Sequence, residues 1–307
     1  MSNTRRGFVR SVAAASLASS AMAGKGIPKR KLGKTGLEVS ILGLGGAPVG
    51  NMVNGKEAVN LVRRCVDLGI TYFDTAAAGA YGLSQVRYGE ALKDVRDRVV
   101  VATKTRHRTA TQAQLDLDQS LSNLKTDWID LYQVHNVINQ EDIEFIFGPK
   151  GVMEMIEKAR KQGKIRFVGF TGHTSPATLN AMMERHNFAT VLLPLSATDG
   201  ANQQKSFEKE TLPLALKKGM GVIAMKTLGA GRIVASKAAT VEECLRYTWS
   251  LPVSTAIVGI DQIAHLETNV ALALSARPMS AAERERLQQR LRTVELARLE
   301  PWKSGPA

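Results

Sequence analysis

Eight short apolar runs alternate with amphipathic helical patterns through almost the whole chain. The runs are Val39–Leu44, Thr71–Asp74, Val99–Thr103, Asp130–Val134, Ile165–Phe170, Thr190–Leu195, Gly221–Met225 and Thr255–Val258. Helical patterns separate them at Lys56–Leu68, Ser84–Leu92, Thr111–Leu124, Val152–Lys161, Ser175–Arg185, Lys209–Lys218 and Val241–Ser250. Continuous apolar strands are buried on both faces, and a helix between each pair makes neighbouring strands parallel. Eight such units predict an α/β chain closed into a (β/α)8 TIM barrel rather than an open sheet. Before the first run, the glycines of Leu32-Gly33-Lys34-Thr35-Gly36 turn a hairpin. Thr240-Val241-Glu242-Glu243 and Ser280-Ala281-Ala282-Glu283 have the form of capping boxes. The second opens an extra helix predicted to run to about Leu299, with Leu287, Leu291 and Val294 on one stripe. No linker interrupts the pattern, so residues 24–307 are expected to form one domain.

The first 23 residues fall outside this pattern. Thr4-Arg5-Arg6-Gly7-Phe8-Val9-Arg10 has the twin-arginine form, a weakly apolar stretch follows, and Ala21-Met22-Ala23 offers a cleavage site. The order predicts a signal peptide over residues 1–23 and a mature chain beginning near Gly24. Its partner would be the twin-arginine export machinery, and its destination a periplasm or equivalent. This route moves folded proteins, so a cofactor could leave with its protein. No later segment approaches about 20 uninterrupted apolar residues, so no membrane span is expected. The formal net charge is +13, but the basic residues are scattered and aromatics make up only 5%, which argues against a nucleic-acid stacking surface. Cys65 and Cys244 both fall in helical patterns and are expected to be free and buried. His107, His135 and His173 form no convincing metal pattern, and no metal site is expected.

Chemistry gathers at the strand ends. Asp74, Lys104 and His135 each close one of three successive runs, and Tyr81 follows the first of these by a Gly- and Ala-rich loop. In a parallel barrel those ends share one mouth. A tyrosine can donate a proton to a carbonyl oxygen, although its ordinary pKa of about 10 is high for that work. A lysine ammonium nearby lowers that value, and an aspartate pairs the lysine. A histidine hydrogen-bonds and orients the oxygen.

At these residues the chain resembles the aldo-keto reductase family, over about residues 28–298. The resemblance is carried by Leu32-Gly33-Lys34-Thr35-Gly36-Leu37-Glu38-Val39-Ser40, Tyr72-Phe73-Asp74-Thr75-Ala76, Ala102-Thr103-Lys104 and Asp130-Leu131-Tyr132-Gln133-Val134-His135. Gly163-Lys164-Ile165-Arg166-Phe167-Val168-Gly169-Phe170-Thr171-Gly172-His173 and Gly221-Val222-Ile223-Ala224-Met225-Lys226 continue it. Each stretch is weak alone; their order, one per strand, is specific. The resemblance implies an NADP(H)-binding barrel that interconverts a small carbonyl compound and its alcohol, with Asp74, Tyr81, Lys104 and His135 as the catalytic set.

Departures from the family pattern matter. The family's tyrosine comes five residues after the aspartate, where this chain has Gly79. One alignment accepts a two-residue insertion and matches Tyr81-Gly82-Leu83-Ser84 to the family's Tyr-Gly-x-Ser. The other is gapless, anchored on Ser84 and Gly89, and leaves the acid's position empty. The first is favoured; Gly79 and the altered cofactor positions motivate an alternative, a catalytically impaired barrel kept for nucleotide or partner binding. Thr171-Gly172 stands where many members hold the carboxamide with Ser-Asn, Leu192 replaces a glutamine, and Met225 replaces the tyrosine that stacks on nicotinamide. Asn269 matches an adenine-binding asparagine, and His265 falls where an arginine grips the 2′-phosphate. Lys226 and Arg232 flank Thr227-Leu228-Gly229-Ala230-Gly231, whose glycines Gly229 and Gly231 let backbone approach a phosphate. NADP(H) is the expected cofactor, with NAD(H) allowed. Arg106-His107-Arg108 reads as a solvated loop rather than a contact for an acidic substrate. Substrate choice is assigned to the loops Asn136–Lys150 and Ser196–Lys205.

Overall fold

The computed structural model describes residues 26–304; the expected signal peptide lies outside them. A two-stranded hairpin, β1 (Lys29–Lys31) and β2 (Glu38–Ser40), precedes eight parallel strands. These are β3 (Leu42–Gly45), β4 (Tyr72–Asp74), β5 (Val100–Thr105), β6 (Ile129–Val134), β7 (Ile165–Thr171), β8 (Thr190–Pro194), β9 (Gly221–Met225) and β10 (Thr255–Gly259). They close in sequence order, with β10 pairing β3. The expected barrel is therefore present, with its hairpin. The run Val39–Leu44 divides between two structures. Val39 belongs to the hairpin, and the barrel strand starts at Leu42.

The hairpin closes the amino-terminal end of the barrel. Leu32 and Val39 are fully buried with Tyr72, Leu131 and Ile223 in an inner apolar cluster. Arg30 donates to the carbonyls of Trp249 (2.6 Å), Leu251 (3.1 Å) and Val253 (2.8 Å), tying the plug to the barrel wall. A second, larger cluster lies between the strands and the outer helices. Both cysteines are buried and free, as expected. No group of metal-binding side chains occurs among the described residues, and no helix there is long and apolar enough to cross a membrane.

The helices Ser84–Leu92, Val152–Lys161 and Val241–Ser250 match the sequence pattern, and both capping boxes form. Three expectations change. Lys209–Lys218 is two short helices, Phe207–Glu210 and Leu212–Lys217, because Pro213 can open a helix but not continue one. The Ala-rich loop after β4 contains one helical turn, Ala78–Tyr81. The last helix stops at Arg292, and the chain turns back through Leu296–Leu299 and Pro301–Ser304.

The turn has an electrostatic cause. The buried Lys303 ammonium donates to Asp199 (2.5 Å), Glu300 (2.8 Å) and the Lys205 carbonyl (2.9 Å). Asp199 also accepts from the backbone of Phe207 (2.9 Å) and Glu208 (2.8 Å), so the tail is locked to the loop after β8. Breaking a buried ion pair by removing one partner strands the other charge. Replacing Lys303 by Met is expected to lower unfolding free energy by about 3–5 kcal/mol, measured by urea denaturation.

A second packing contact aims Tyr81. The short helix Gly46–Asn51 lies against the turn Ala78–Tyr81, and Leu83 N–H donates to the Gly50 carbonyl (3.2 Å). A Cβ at Gly50 would overlap the carbonyl of Tyr81. Gly82, at φ +54, closes on the same carbonyl of Gly50. Arg87 holds the short helix from the other side, donating to the carbonyls of Val49 and Met52. Gly50→Ala is expected to cost about 1–3 kcal/mol and to displace Tyr81. Urea denaturation and crystallography of the variant check both outcomes.

Candidate active site

Strand ends put three functional groups at the carboxyl-terminal mouth. Asp74 ends β4, and Lys104 is the next-to-last residue of β5. The Lys104 ammonium donates to Asp74 Oδ1 (2.5 Å) and to the Thr75 carbonyl (2.8 Å). Both side chains are essentially inaccessible to solvent. Burial raises the pKa of Asp74 and lowers that of Lys104, and each partner opposes the shift of the other. Asp74 Oδ2 has no hydrogen-bond partner.

His135 follows β6, and its N–H donates to the Thr105 carbonyl (2.8 Å). Burial, then the charges of Lys104, His173, Arg106 and Arg108, push its pKa down to about 2. The imidazole is therefore neutral across the physiological range, and its Nδ1 is buried without a partner. His173 is also held neutral, its pKa pushed down to about 3 by burial and then by Lys226, Lys104 and Arg106.

The turn Ala78–Tyr81 carries the displaced tyrosine back to this group. The Tyr81 ring stands edge-on to His135, with centroids 6.2 Å apart. Lys104 Nζ lies 5.1 Å from the Tyr81 ring centroid. Gly79 is exposed, with nothing within 4 Å of where its Cβ would be. The structure places Tyr81 against His135 and Gly79 on an exposed turn. Burial and Asp74 raise the phenol's pKa, opposed by Arg106. The Lys104 ammonium is hydrogen-bonded to Asp74.

A cleft of about 490 Å³ opens beside Tyr81 and Asp74 and runs across the ends of β9, β10 and β3. Met225, Lys226, Leu228 and Gly231 lie on its wall. Gly229 is buried, at φ +60, against Ile233 and shapes the loop from behind. The other expected cofactor residues do not line this cleft. Thr171 Oγ1 accepts from Asn136 N–H (2.8 Å), Gly172 packs on Leu179, and Asn269 is buried in the helix Ile263–Leu274.

The cleft fits a dinucleotide in two respects. Gly231 (φ +86) has nothing within 4 Å of a Cβ position, so its backbone faces open space. Lys226 (φ +58) places a half-buried ammonium there, 5.4 Å from the Trp302 ring centroid. On the opposite wall His265 faces Asp261 at 3.6 Å.

Several site residues escaped sequence reasoning. Ala47, Pro48 and Asp261 line the cleft, as does His173, to which sequence reasoning assigned no catalytic or cofactor role. Gln133, paired in register with Lys104, is buried with neither amide atom bonded. The segment Gly45-Gly46-Ala47-Pro48, directly after a barrel strand, was the available signal for the first two. Trp302 carried none, because only the tail's return brings it to Lys226.

Comparison with known proteins agrees with this geometry. The family model described as "Aldo/keto reductase family" matches residues 41–243. L-galactose dehydrogenase of Arabidopsis thaliana is 31% identical over 324 aligned residues, covering 91% of this chain and 98% of that protein. The holo form of aldo-keto reductase AKR11C1 from Bacillus halodurans superposes with a TM-score of 0.73 at 24% identity, over 86% of this chain and 96% of that one. A putative aldo-keto reductase from Pseudomonas aeruginosa gives 0.67 at 26% identity, over 81% and 94%. The chain belongs to the aldo-keto reductase family of NAD(P)H-dependent oxidoreductases.

Proposed function

We propose that the protein interconverts a small carbonyl compound and its alcohol, with Tyr81 as the proton donor. The observation that carries this reading is the convergence of Tyr81, His135 and the Lys104–Asp74 pair beside one cleft. A bound nicotinamide cofactor supplies the hydride that reduces the carbonyl carbon. Neutral His135 orients the carbonyl oxygen, and the Tyr81 phenol gives that oxygen its proton. The raised proton affinity of Tyr81 keeps the phenol protonated near neutrality, the state that reduction requires. Lys104 and Asp74 fix the floor beneath the phenol.

NADP(H) remains the favoured cofactor, with Lys226 and Arg232 supplying charge for its extra phosphate. NAD(H) is the alternative, because the carboxylate of Asp261 in the cleft lining disfavours a 2′-phosphate. Fluorescence titration with NADPH and NADH separately decides between them. The reading of an impaired barrel drew on Gly79 and on the altered cofactor contacts; the position of Tyr81 beside His135 favours a working site. The likeness to a sugar dehydrogenase makes polyhydroxylated aldehydes a natural part of the substrate panel.

Residues 1–23 are proposed to be a twin-arginine signal, on the order of their motif, apolar stretch and cleavage site. Export in the folded state would let cofactor travel with the protein. Amino-terminal sequencing of the exported protein is expected to start near Gly24; a start at Met1 contradicts export by this route.

Tyr81→Phe is expected to lower aldehyde reduction by about 10²–10⁴-fold while leaving NADPH affinity intact. Steady-state turnover and a fluorescence titration check the two halves. Unchanged turnover removes Tyr81 from the mechanism.

A further inference from the structure

The segment after β9, from Lys226 to Arg232, carries two cations and no anion. Lys226 is held at φ +58 and Ala230 at φ +54, both in the left-handed region that non-glycine residues rarely adopt. The Lys226 side chain lies on the cleft wall. Burial, then the charge of Arg232, lowers its pKa, and no carboxylate opposes them. Uncompensated cations in a half-buried wall call for an anion, and a phosphate can accept from such donors.

The side chain that meets Lys226 comes from the far end of the chain. Trp302 presents its ring to the ammonium, with Nζ 5.4 Å from the ring centroid. The ring quadrupole attracts a cation, most strongly where water is excluded. This placement has a cost. Trp302 Nε1 is buried without a hydrogen-bond partner, so the indole forfeits its bond to water. The tail is anchored on both sides of the ring all the same. Before it, Glu300 accepts from Thr198 (3.2 Å) and Asn202 (3.3 Å). After it, Lys303 donates to Asp199 (2.5 Å), and its carbonyl accepts from the Lys205 ammonium (2.9 Å). The same tail packs on the glycine loop, where the Leu299 carbonyl lies 3.4 Å from a Cβ built at Gly229. The ring that holds Lys226 is thus itself fixed from the loop after β8.

We propose that Trp302 is a positioning residue for cofactor binding: its ring holds the Lys226 ammonium in place for a phosphate of the dinucleotide. A free lysine side chain samples many rotamers, and ordering it on binding costs affinity. Trp302 removes that cost in advance, acting through Lys226 rather than by lining the cleft itself. The inference rests on the nucleotide-binding reading above for its first test and on phosphate binding alone for its second.

Calorimetric titration with NADPH, with NADH and with inorganic pyrophosphate compares wild type, Trp302→Ala, Trp302→Phe, Lys226→Met and the double variant of Trp302→Ala with Lys226→Met. Trp302→Ala is expected to raise the Kd for NADPH about tenfold, the scale of a partly desolvated cation–π contact. Trp302→Phe keeps an aromatic face and should stay within about threefold of wild type. With Lys226→Met in place, Trp302→Ala should have no further effect. A loss confined to NADPH puts the ammonium on the 2′-phosphate, and a loss shared by all three ligands puts it on the pyrophosphate; either supports the positioning role. Unchanged affinity in Trp302→Ala, the same loss with and without Lys226, or an equal loss in Trp302→Phe overturns it. If Trp302→Ala does not fold, Trp302→Leu takes its place, and binding as tight as that of Trp302→Phe overturns the proposal. If wild type binds neither dinucleotide, the nucleotide-binding reading fails separately. Pyrophosphate then decides: binding weakened in Trp302→Ala supports the held ammonium, and binding that is absent or unchanged overturns it.

Discussion

The site depends on one buried ion pair. Lys104 and Asp74 face each other inside the barrel with almost no access to solvent. Removing two charges from water costs several kcal/mol per ion, and only close geometry with further hydrogen bonds offsets it. Here the 2.5 Å contact and the Thr75 carbonyl provide both. The pair consequently fixes the ends of β4 and β5 relative to each other. It also decides what Lys104 can do. Burial and the Asp74 charge keep the tyrosine above the pair a protonated acid. Lys104 also helps hold His135 and His173 neutral.

The second constraint is steric. Tyr81 sits two residues later than the family spacing expects, yet its ring packs on His135 and over Lys104. A single helical turn absorbs the extra length. That turn fits only because Gly50 and Gly82 let two backbone segments touch, and because Arg87 pins the facing helix. Three residues outside the catalytic set thus set the position of the acid.

Much of this was legible in the sequence. Periodicity located all eight strands, and strand ends named Asp74, Lys104 and His135, because side-chain direction in a parallel barrel follows from position in the strand. Tyr81 could be nominated but not placed, since a loop's path depends on contacts with residues 46–51 that no local pattern encodes. The tail was misread as one long helix for a similar reason. Its stripe of Leu287, Leu291 and Val294 continues smoothly, and only the remote Asp199 explains why the chain turns back to bury Lys303. Thr171, Gly172 and Asn269 were inferred from resemblance; the structure buries them outside the cleft lining.

The central claim is that Lys104 serves Asp74 and that Tyr81 remains a protonated phenol. The direct measurement is a phenolate absorbance titration of the wild type minus Tyr81→Phe, which isolates this ring from the other four tyrosines. Burial and the Asp74 charge predict that the difference signal appears only above the ordinary tyrosine value of about 10. Phenolate formed by about pH 8, two units below that value, would contradict the account.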